Sequence, residues 1–409
     1  MPSPHTPPRP LVILGSTGSI GENALRVAAA EPGRFAIAGL AANRSVARLL
    51  EQARQFRVPR IAVADPAAAA AARREAPDGV EVLSGPGGVD ELAGGGDVGR
   101  DALVLCALVG MAGLKPVLAA IAAGRDIALA TKETLVAAGA PVMAARAAAG
   151  VRITPVDSEH SAIFQCLCAG PALPACVRTD PAAPRAEDNV KRLIVTASGG
   201  PFAARPEVDF DRVTAAQALD HPRWSMGRKV TIDSATMMNK GLELLEARWL
   251  FDIPVDRIDV LVHPESIVHS LVEYADGSVL AQLAPADMRY AINAALNWPR
   301  RIPCGLPSLD LAQVASLHFS GPDENRFPCL PLARRAAAGG GLLPTVMNAA
   351  NEVAVEAFLS GAIPFSGIWK LVGEVMDCAR VGSAAPDLDA IFAADAWARG
   401  EAAGRLPRG

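Results

Sequence analysis

A short, wholly apolar run at residues 11–14 is followed along the first part of this chain by similar, largely apolar runs at 35–41, 60–64, 102–107, 126–130 and 152–156. Alanine-rich segments of helical length, 46–56, 66–75, 113–123 and 136–149, lie between most of them. A strand buried on both faces reads as a continuous apolar run, and strands that alternate with helices build βαβ units. Residues 11–156 are therefore predicted to form an α/β layer around a doubly wound parallel sheet. Right-handed crossovers bring the strand C-ends to one edge, where such sheets bind ligands.

The first run leads straight into Gly15-Ser-Thr17-Gly18-Ser19-Ile20-Gly21. Glycines three apart allow a tight turn and a close approach to a pyrophosphate, whose charge the following helix N-terminus stabilises. Placed at the first strand–helix junction, the motif predicts a Rossmann-like dinucleotide site; a glycine turn without ligand is the plain alternative. After the second run come Asn43, Arg44 and Ser45, with no acid to hold a ribose diol. A guidanium there favours NADP, since Arg44 can pair with a 2′-phosphate, although a surface arginine would look the same.

Composition narrows the class. The 409 residues allow two or three domains, and 51% hydrophobic with 20% charged residues excludes a disordered or fibrous chain. With 43 acidic against 39 basic side chains, the net charge of −4 provides no electrostatic basis for nucleic-acid binding. The longest apolar stretch, 102–114, falls short of the roughly 20 residues a membrane-spanning helix needs. Residues 1–10 are proline-rich and lack an apolar core, so they read as a disordered leader. The seven cysteines are scattered, with no Cys-x-x-Cys pair, and are expected to be reduced in a cytoplasmic protein.

Beyond the four prolines of 171–188 the pattern changes. Runs 267–274 and 278–283 flank Asp276-Gly277, a hairpin signal, and 235–251 has helical spacing. A central α+β domain is expected over 157–309. From 310 to 409 strand signals fade and five helix-like segments predict a C-terminal helical bundle.

Four stretches here hold chemistry. Asp157-Ser158-Glu159-His160 follows a strand, so two carboxylates can converge on an oxygen-preferring cation such as Mg²⁺ or Mn²⁺. Helix capping by Asp157 or Ser158 explains the same residues. On a helix, Asn239, Lys240 and Glu243 share one face with Ser234 placed as N-cap; this is either a phosphate grip or a surface ion pair. Ser198 with two following glycines could serve the same anion, or form only a turn. His221-Pro-Arg-Trp224-Ser-Met226-Gly227-Arg-Lys229 reads as a mixed loop that either closes over a ligand or is a solvated basic loop.

Together with Thr131-Lys132-Glu133, His263-Pro-Glu-Ser266 and Asn348-Ala-Ala-Asn351-Glu-Val-Ala354, these stretches closely resemble the 1-deoxy-D-xylulose 5-phosphate reductoisomerase family, in its order and over nearly the whole chain. The resemblance implies a homodimer with an NADPH-binding domain, a central catalytic domain with a mobile loop, and a C-terminal bundle. It implies a divalent metal (Mg²⁺ or Mn²⁺, with Co²⁺ a further option) held by Asp157, Glu159 and Glu243. Lys132, Asp157, Glu159 and His221 would be catalytic. Ser158, Glu159, Ser198, His221, Trp224, Ser234, Asn239, Lys240 and Glu243 would bind the sugar phosphate. Gly15, Thr17, Gly18, Ser19 and Ile20 would line the pyrophosphate, and Asn43, Arg44 and Ser45 the adenosine end. Thr131, Lys132, Glu133, Met226 and Gly227 would meet the rest of the cofactor. The implied reaction joins a retro-aldol/aldol rearrangement to reduction, giving 2-C-methyl-D-erythritol 4-phosphate. The competing reading is a simple NADP-dependent dehydrogenase of a phosphorylated sugar or semialdehyde, which would not need the three carboxylates. Where the family often has Asn this chain has Thr131, and where it often has Gly-Lys it has Asn43-Arg44.

Overall fold

A computed structural model describes residues 7–380, 382 and 385–407. Of the expected leader, residues 1–6 lie outside the described residues, while Arg9 and Pro10 already belong to the first strand. The apolar runs become strands and the segments between them helices: β1 (Arg9–Leu14), α1 (Ser19–Ala30), β2 (Phe35–Ala42), α2 (Val46–Phe56), β3 (Arg60–Val63) and α3 (Pro66–Glu75). Then come β4 (Glu81–Ser84), α4 (Gly85–Gly94), β5 (Leu103–Cys106), α5 (Leu114–Ala122), β6 (Asp126–Leu129), α6 (Lys132–Ala149) and β7 (Ile153–Pro155). All seven strands are parallel, in the order β4-β3-β2-β1-β5-β6-β7, so the winding reverses at β1. That reversal opens a crevice at the strand C-ends. Strand β4 had no apolar run to announce it: it is a short edge strand with only Leu83 fully buried.

The second sheet forms from α7 (Ser158–Leu167), β8 (Val190–Ala197), α8 (Ala215–Leu219), α9 (Arg228–Ala235), α10 (Met238–Phe251), β9 (Ile258–Val262), β10 (Val268–Tyr274) and β11 (Val279–Leu283). Its order is β11-β10-β8-β9, with β8–β9 parallel and the other pairs antiparallel. Asp276-Gly277 makes the expected hairpin turn, with Asp276 Oδ1 accepting from the Ser278 amide at 2.9 Å. Helices α11 (Met288–Asn297), α12 (Leu311–Val314), α13 (Cys329–Gly339), α14 (Leu343–Leu359), α15 (Gly367–Cys378) and α16 (Leu388–Arg405) complete the chain. Among the described residues no helix is long and apolar enough to cross a membrane.

A parallel sheet must be covered on both faces. Helices α4 to α6 cover one face of the first sheet; α1 to α3 cover only part of the other, the β1–β4 side. The gap over β5, β6 and β7 is filled by α11, whose Ile292, Ala295 and Leu296 bury with Leu105, Ala128 and Val156. Helix α11 thus packs on the first sheet, although its place in sequence falls in the region read as the central domain.

Helix α6 starts at Lys132, four residues earlier than the apolar spacing indicates, and bends at Ala138 (φ −134°, ψ 31°). The cause is Pro141, which has no N–H and whose ring crowds the carbonyl four residues back, that of Ala137. Thr345 on α14 satisfies that carbonyl: its Oγ1 donates to Ala137 O at 3.0 Å. Thr345→Val keeps the shape and orphans a buried acceptor. A loss of about 1–3 kcal/mol is expected, read as a lower urea midpoint at unchanged slope.

Candidate active site

The strand C-ends of the first sheet deliver the nucleotide motif as expected. Gly15 has φ 88°, and a Cβ there would sit 2.5 Å from the Ala107 carbonyl oxygen, so only glycine lets β1 close against the loop after β5. Helix α1 begins at Ser19 with Gly18 as N-cap and no side-chain cap, which leaves first-turn N–H groups turned outward beside Thr17, Ser19 and Ile20. Asn43, Arg44 and Ser45 follow β2, and Arg44 is largely exposed. Its Nε donates to Asp65 Oδ2 at 2.8 Å, so the acid missing from the end of β2 is supplied from the end of β3. Asp65 is itself held by the Ala68 amide, and the two Nη groups of Arg44 make no hydrogen bond among the described residues.

Strand β7 and helices α6, α7 and α10 bring the carboxylates together. Asp157 is the N-cap of α7, with Oδ1 accepting from Ser158 N at 3.0 Å, so the capping explanation holds. Its other oxygen faces Lys132 Nζ at 2.5 Å. Lys132 also donates to Asn239 Oδ1 at 2.8 Å and Glu243 Oε1 at 3.1 Å. Lys240 Nζ donates to Glu159 Oε1 at 2.5 Å and Glu243 Oε2 at 2.6 Å, and Ser158 Oγ to Glu159 Oε2. Asp157, Glu159 and Glu243 offer oxygens that all lie within 4.8 Å of one another. An all-oxygen set of this size suits a hard divalent cation.

Charge in this cluster is unevenly shared. Burial pushes the Asp157 and Glu159 carboxyls up, but the Lys132 and Lys240 ammonium groups outweigh it and hold both below the usual range. Burial, reinforced by the nearby Glu159 charge, pushes Glu243 up to about 7. Two further groups adjoin the cluster, Glu246, to which the sequence reading gave no role, and His160, which it named beside the carboxylates. Glu246, wholly buried, is also raised to about 7 by burial, and neither of its oxygens accepts a hydrogen bond among the described residues. His160 lies between them: Nε2 is 3.0 Å from the Glu243 carbonyl and Nδ1 is 3.6 Å from Glu246 Oε2. A carbonyl only accepts, so Nε2 carries the hydrogen. The available signal was spacing: Glu246 is three residues from Glu243 on one helical face.

A cavity of about 170 Å³ adjoins this cluster, lined by Lys132, Asp157, Ser158 and Glu159 on one side. Ser198, His221, Ser234, Asn239 and Lys240 line the other, and Trp224, Met226 and Gly227 of the loop after α8 cover it, with Ser19 and Ile20 at its mouth. Glycine is required at 200 (φ 63°), where a Cβ would meet the Ser234 carbonyl oxygen at 2.8 Å. Ser234 is not an N-cap: it lies in the last turn of α9, and Met237 in left-handed conformation (φ 62°) separates α9 from α10. His221 Nδ1 accepts from the Arg223 and Trp224 amides, and Nε2 lies 2.9 Å from Ser198 Oγ. Burial, aided by the Lys240 charge, lowers its pKa to about 4, so it stands neutral as a donor to Ser198.

The side chains of Glu243, Thr131 and Glu133 do not line this cavity. Glu243 lies beneath the cavity rather than on its wall, held by Lys132, Asn239 and Lys240. Thr131 Oγ1 donates to Leu108 O at 2.6 Å, tying the loop after β5 to α6. Glu133 is buried and paired with Lys229 Nζ at 2.7 Å.

A carboxylate cluster that fits a divalent cation, beside a glycine turn at the switch point of a parallel sheet, defines a metal-dependent dinucleotide oxidoreductase. Family models agree. That for 1-deoxy-D-xylulose 5-phosphate reductoisomerase matches residues 11–139, and models for its C-terminal domains match 153–251 and 283–401. The reductoisomerase of Symbiobacterium thermophilum is 52% identical over 95% of this chain and 96% of that protein, and that of an Anaeromyxobacter strain 49% over 97% of each. A solved DOX-P reductoisomerase in complex with NADPH, fosmidomycin and magnesium is 41% identical, covers 97% of this chain and 98% of that one, and superimposes with a TM-score of 0.89. The Zymomonas mobilis enzyme in complex with NADPH is 42% identical, with the same coverage and a TM-score of 0.85. The chain belongs to the 1-deoxy-D-xylulose 5-phosphate reductoisomerase family.

The raised carboxyls have a stability signature. A carboxyl whose pKa is raised by folding adds stability that is complete below its unfolded value and lost as pH rises through its folded one. For Glu246 that window runs from 4.5 up to about 7. In metal-free protein, Glu246→Gln should flatten the fall of unfolding free energy across this window, measured by urea melts at several pH values. An unchanged slope would contradict the assignment.

Proposed function

We propose that the cavity between α7, α10 and the loop after α8 is where this chain carries out its family's reaction. That reaction converts 1-deoxy-D-xylulose 5-phosphate to 2-C-methyl-D-erythritol 4-phosphate by rearrangement and reduction, and it requires NADPH and a divalent metal ion such as Mg²⁺ or Mn²⁺. The observation that supports this site most is the convergence of Asp157, Glu159 and Glu243 within 4.8 Å beside the nucleotide turn. A simple dehydrogenase would have no use for it.

When bound, the metal ion polarises the substrate carbonyl as a Lewis acid and NADPH supplies the hydride. The rest falls to the chain itself. Ser198, Ser234, Asn239 and Lys240 hold the phosphate, the hydroxyls and amide donating and the ammonium balancing charge. Neutral His221 sets the rotamer of the Ser198 hydroxyl. Ser158 and Lys132 face the substrate backbone, with the Lys132 proton secured by Asp157 and Glu243. Trp224 and Met226 close the cavity and exclude water, which strengthens every charge interaction inside. Gly15, Thr17, Gly18, Ser19 and Ile20 receive the pyrophosphate. Arg44 offers its free Nη pair to the 2′-phosphate between Asn43 and Ser45, and Thr131, Glu133 and Gly227 stand at the nicotinamide end.

The assembly is a homodimer, a reading supported by β11. This edge strand exposes Val279 (48%) and Leu280 (42%), an apolar unpaired edge of the kind that pairs with a second chain. All seven cysteines are free, which supports a cytoplasmic location.

Absorbance decay of NADPH with 1-deoxy-D-xylulose 5-phosphate tests the function. Decay should require the divalent ion and stop on chelation, and Glu243→Gln should slow it by about 10²–10³-fold. No decay with metal present would overturn the function; decay indifferent to chelator would overturn the metal site. Light scattering should return twice the chain mass for the wild type, and Leu280→Lys should shift it toward one. A monomeric wild type would exclude the dimer.

A further inference from the structure

The loop carrying His221, Trp224 and Met226 runs directly into α9, whose second residue is Lys229. Lys229 has no place in the site described above, yet its ammonium is the hub of a buried network. Nζ lies 2.7 Å from Glu133 Oε1, in the first turn of α6 next to Lys132, and 2.9 Å from Asp233 Oδ2, one turn further along α9. Asp233 Oδ1 accepts from Asn351 Nδ2, on α14, at 2.8 Å. Asp233 and Asn351 are 1% and 0% exposed. Glu352, the next residue of α14, is held by Asn348 at 3.1 Å and by Arg399 at 2.6 Å. This accounts for the Asn348-Ala-Ala-Asn351-Glu352 stretch, to which the resemblance attached no role.

Two separate parts of the chain therefore meet at one ammonium, the exit of the loop and the start of α6, and Asp233 ties both to the middle of α14. A buried ion pair adds little net stability over an apolar replacement, whereas it fixes the orientation of whatever carries it. Two of the groups oriented here are ones proposed above for the nicotinamide end: Gly227, two residues before Lys229, whose carbonyl also accepts from Thr231 Oγ1 at 3.0 Å, and Glu133.

The geometry points to Lys229, backed by Asp233 and Asn351, as a positioning clamp that holds Met226, Gly227 and Glu133 in register and so sets affinity for the dinucleotide. The inference rests on the placement of those three residues at the nicotinamide end. It gives the C-terminal helices a function at the active site that they do not touch: α14 anchors the clamp from behind.

The test uses the full chain and NADPH alone, with no metal or substrate, binding being read from the change in NADPH fluorescence. Lys229→Met removes the ammonium and keeps the aliphatic stem; Lys229→Arg keeps the charge. Asn351→Leu cuts the α14 link without unpairing a charge. Expected is a rise in the NADPH Kd of about tenfold for Lys229→Met and about threefold for Asn351→Leu, with Lys229→Arg within about threefold of wild type. The Km for NADPH should rise in parallel, while kcat at saturation stays within about threefold. An unchanged NADPH Kd in folded Lys229→Met overturns the clamp. If that variant does not fold, an unchanged Kd in Asn351→Leu overturns it. A wild type that does not bind NADPH overturns the cofactor reading beneath it, a different failure from a wild type that binds and variants that bind equally well.

Discussion

Four carboxyl groups crowd together where β7 and α7 meet α10, Glu243 and Glu246 buried and Asp157 and Glu159 partly so, and much of the site is arranged to keep them there. Moving ionised carboxylates out of water costs several kcal/mol each unless cations and donors compensate. Lys132 and Lys240 supply two positive charges, each reaching two of the carboxylates. The compensation is incomplete, and Glu243 and Glu246 show it in their raised pKa values. A divalent cation would discharge the remaining imbalance, so the donor set is prepared for one.

The same interactions join separate layers. Lys132 stands in the first turn of α6, at the C-terminal edge of the parallel sheet, while Glu243 and Lys240 stand on α10. Their ion pairs fix the second sheet and its helices against the first beside the cavity. The Pro141 bend in α6 then requires Thr345 of α14, and the Lys229 network requires Asn351 of the same helix. One C-terminal helix thus supports both the frame of the nucleotide sheet and the loop that closes the cavity.

Much of this was legible in the residues. The apolar runs marked the parallel strands, except for β4, whose four residues, only Leu83 of them buried, carry no such signal. The glycine turn joins β1 to α1, the Asp157-Ser158-Glu159 stretch follows β7 at the start of α7, and Asn239, Lys240 and Glu243 share α10, all as local spacing predicts. Local spacing failed where the partner is remote. Ser234 looks like a helix cap until Met237 breaks the helix. The acid missing after β2 arrives at Arg44 from Asp65, 21 residues on in sequence. Glu133 matches its motif, yet its nearest charge is Lys229, 96 residues away.

Periodicity and turn chemistry act over a few residues, so the sequence alone determined the order of strands and helices, the nucleotide turn and the chemical types gathered for the site. Which carboxylate is ionised, which lysine compensates it and which helix steadies the loop depend on burial and on contacts between distant segments. Only the tertiary structure decided these, because desolvation and ion pairing are properties of a place in the fold and no local pattern encodes that place.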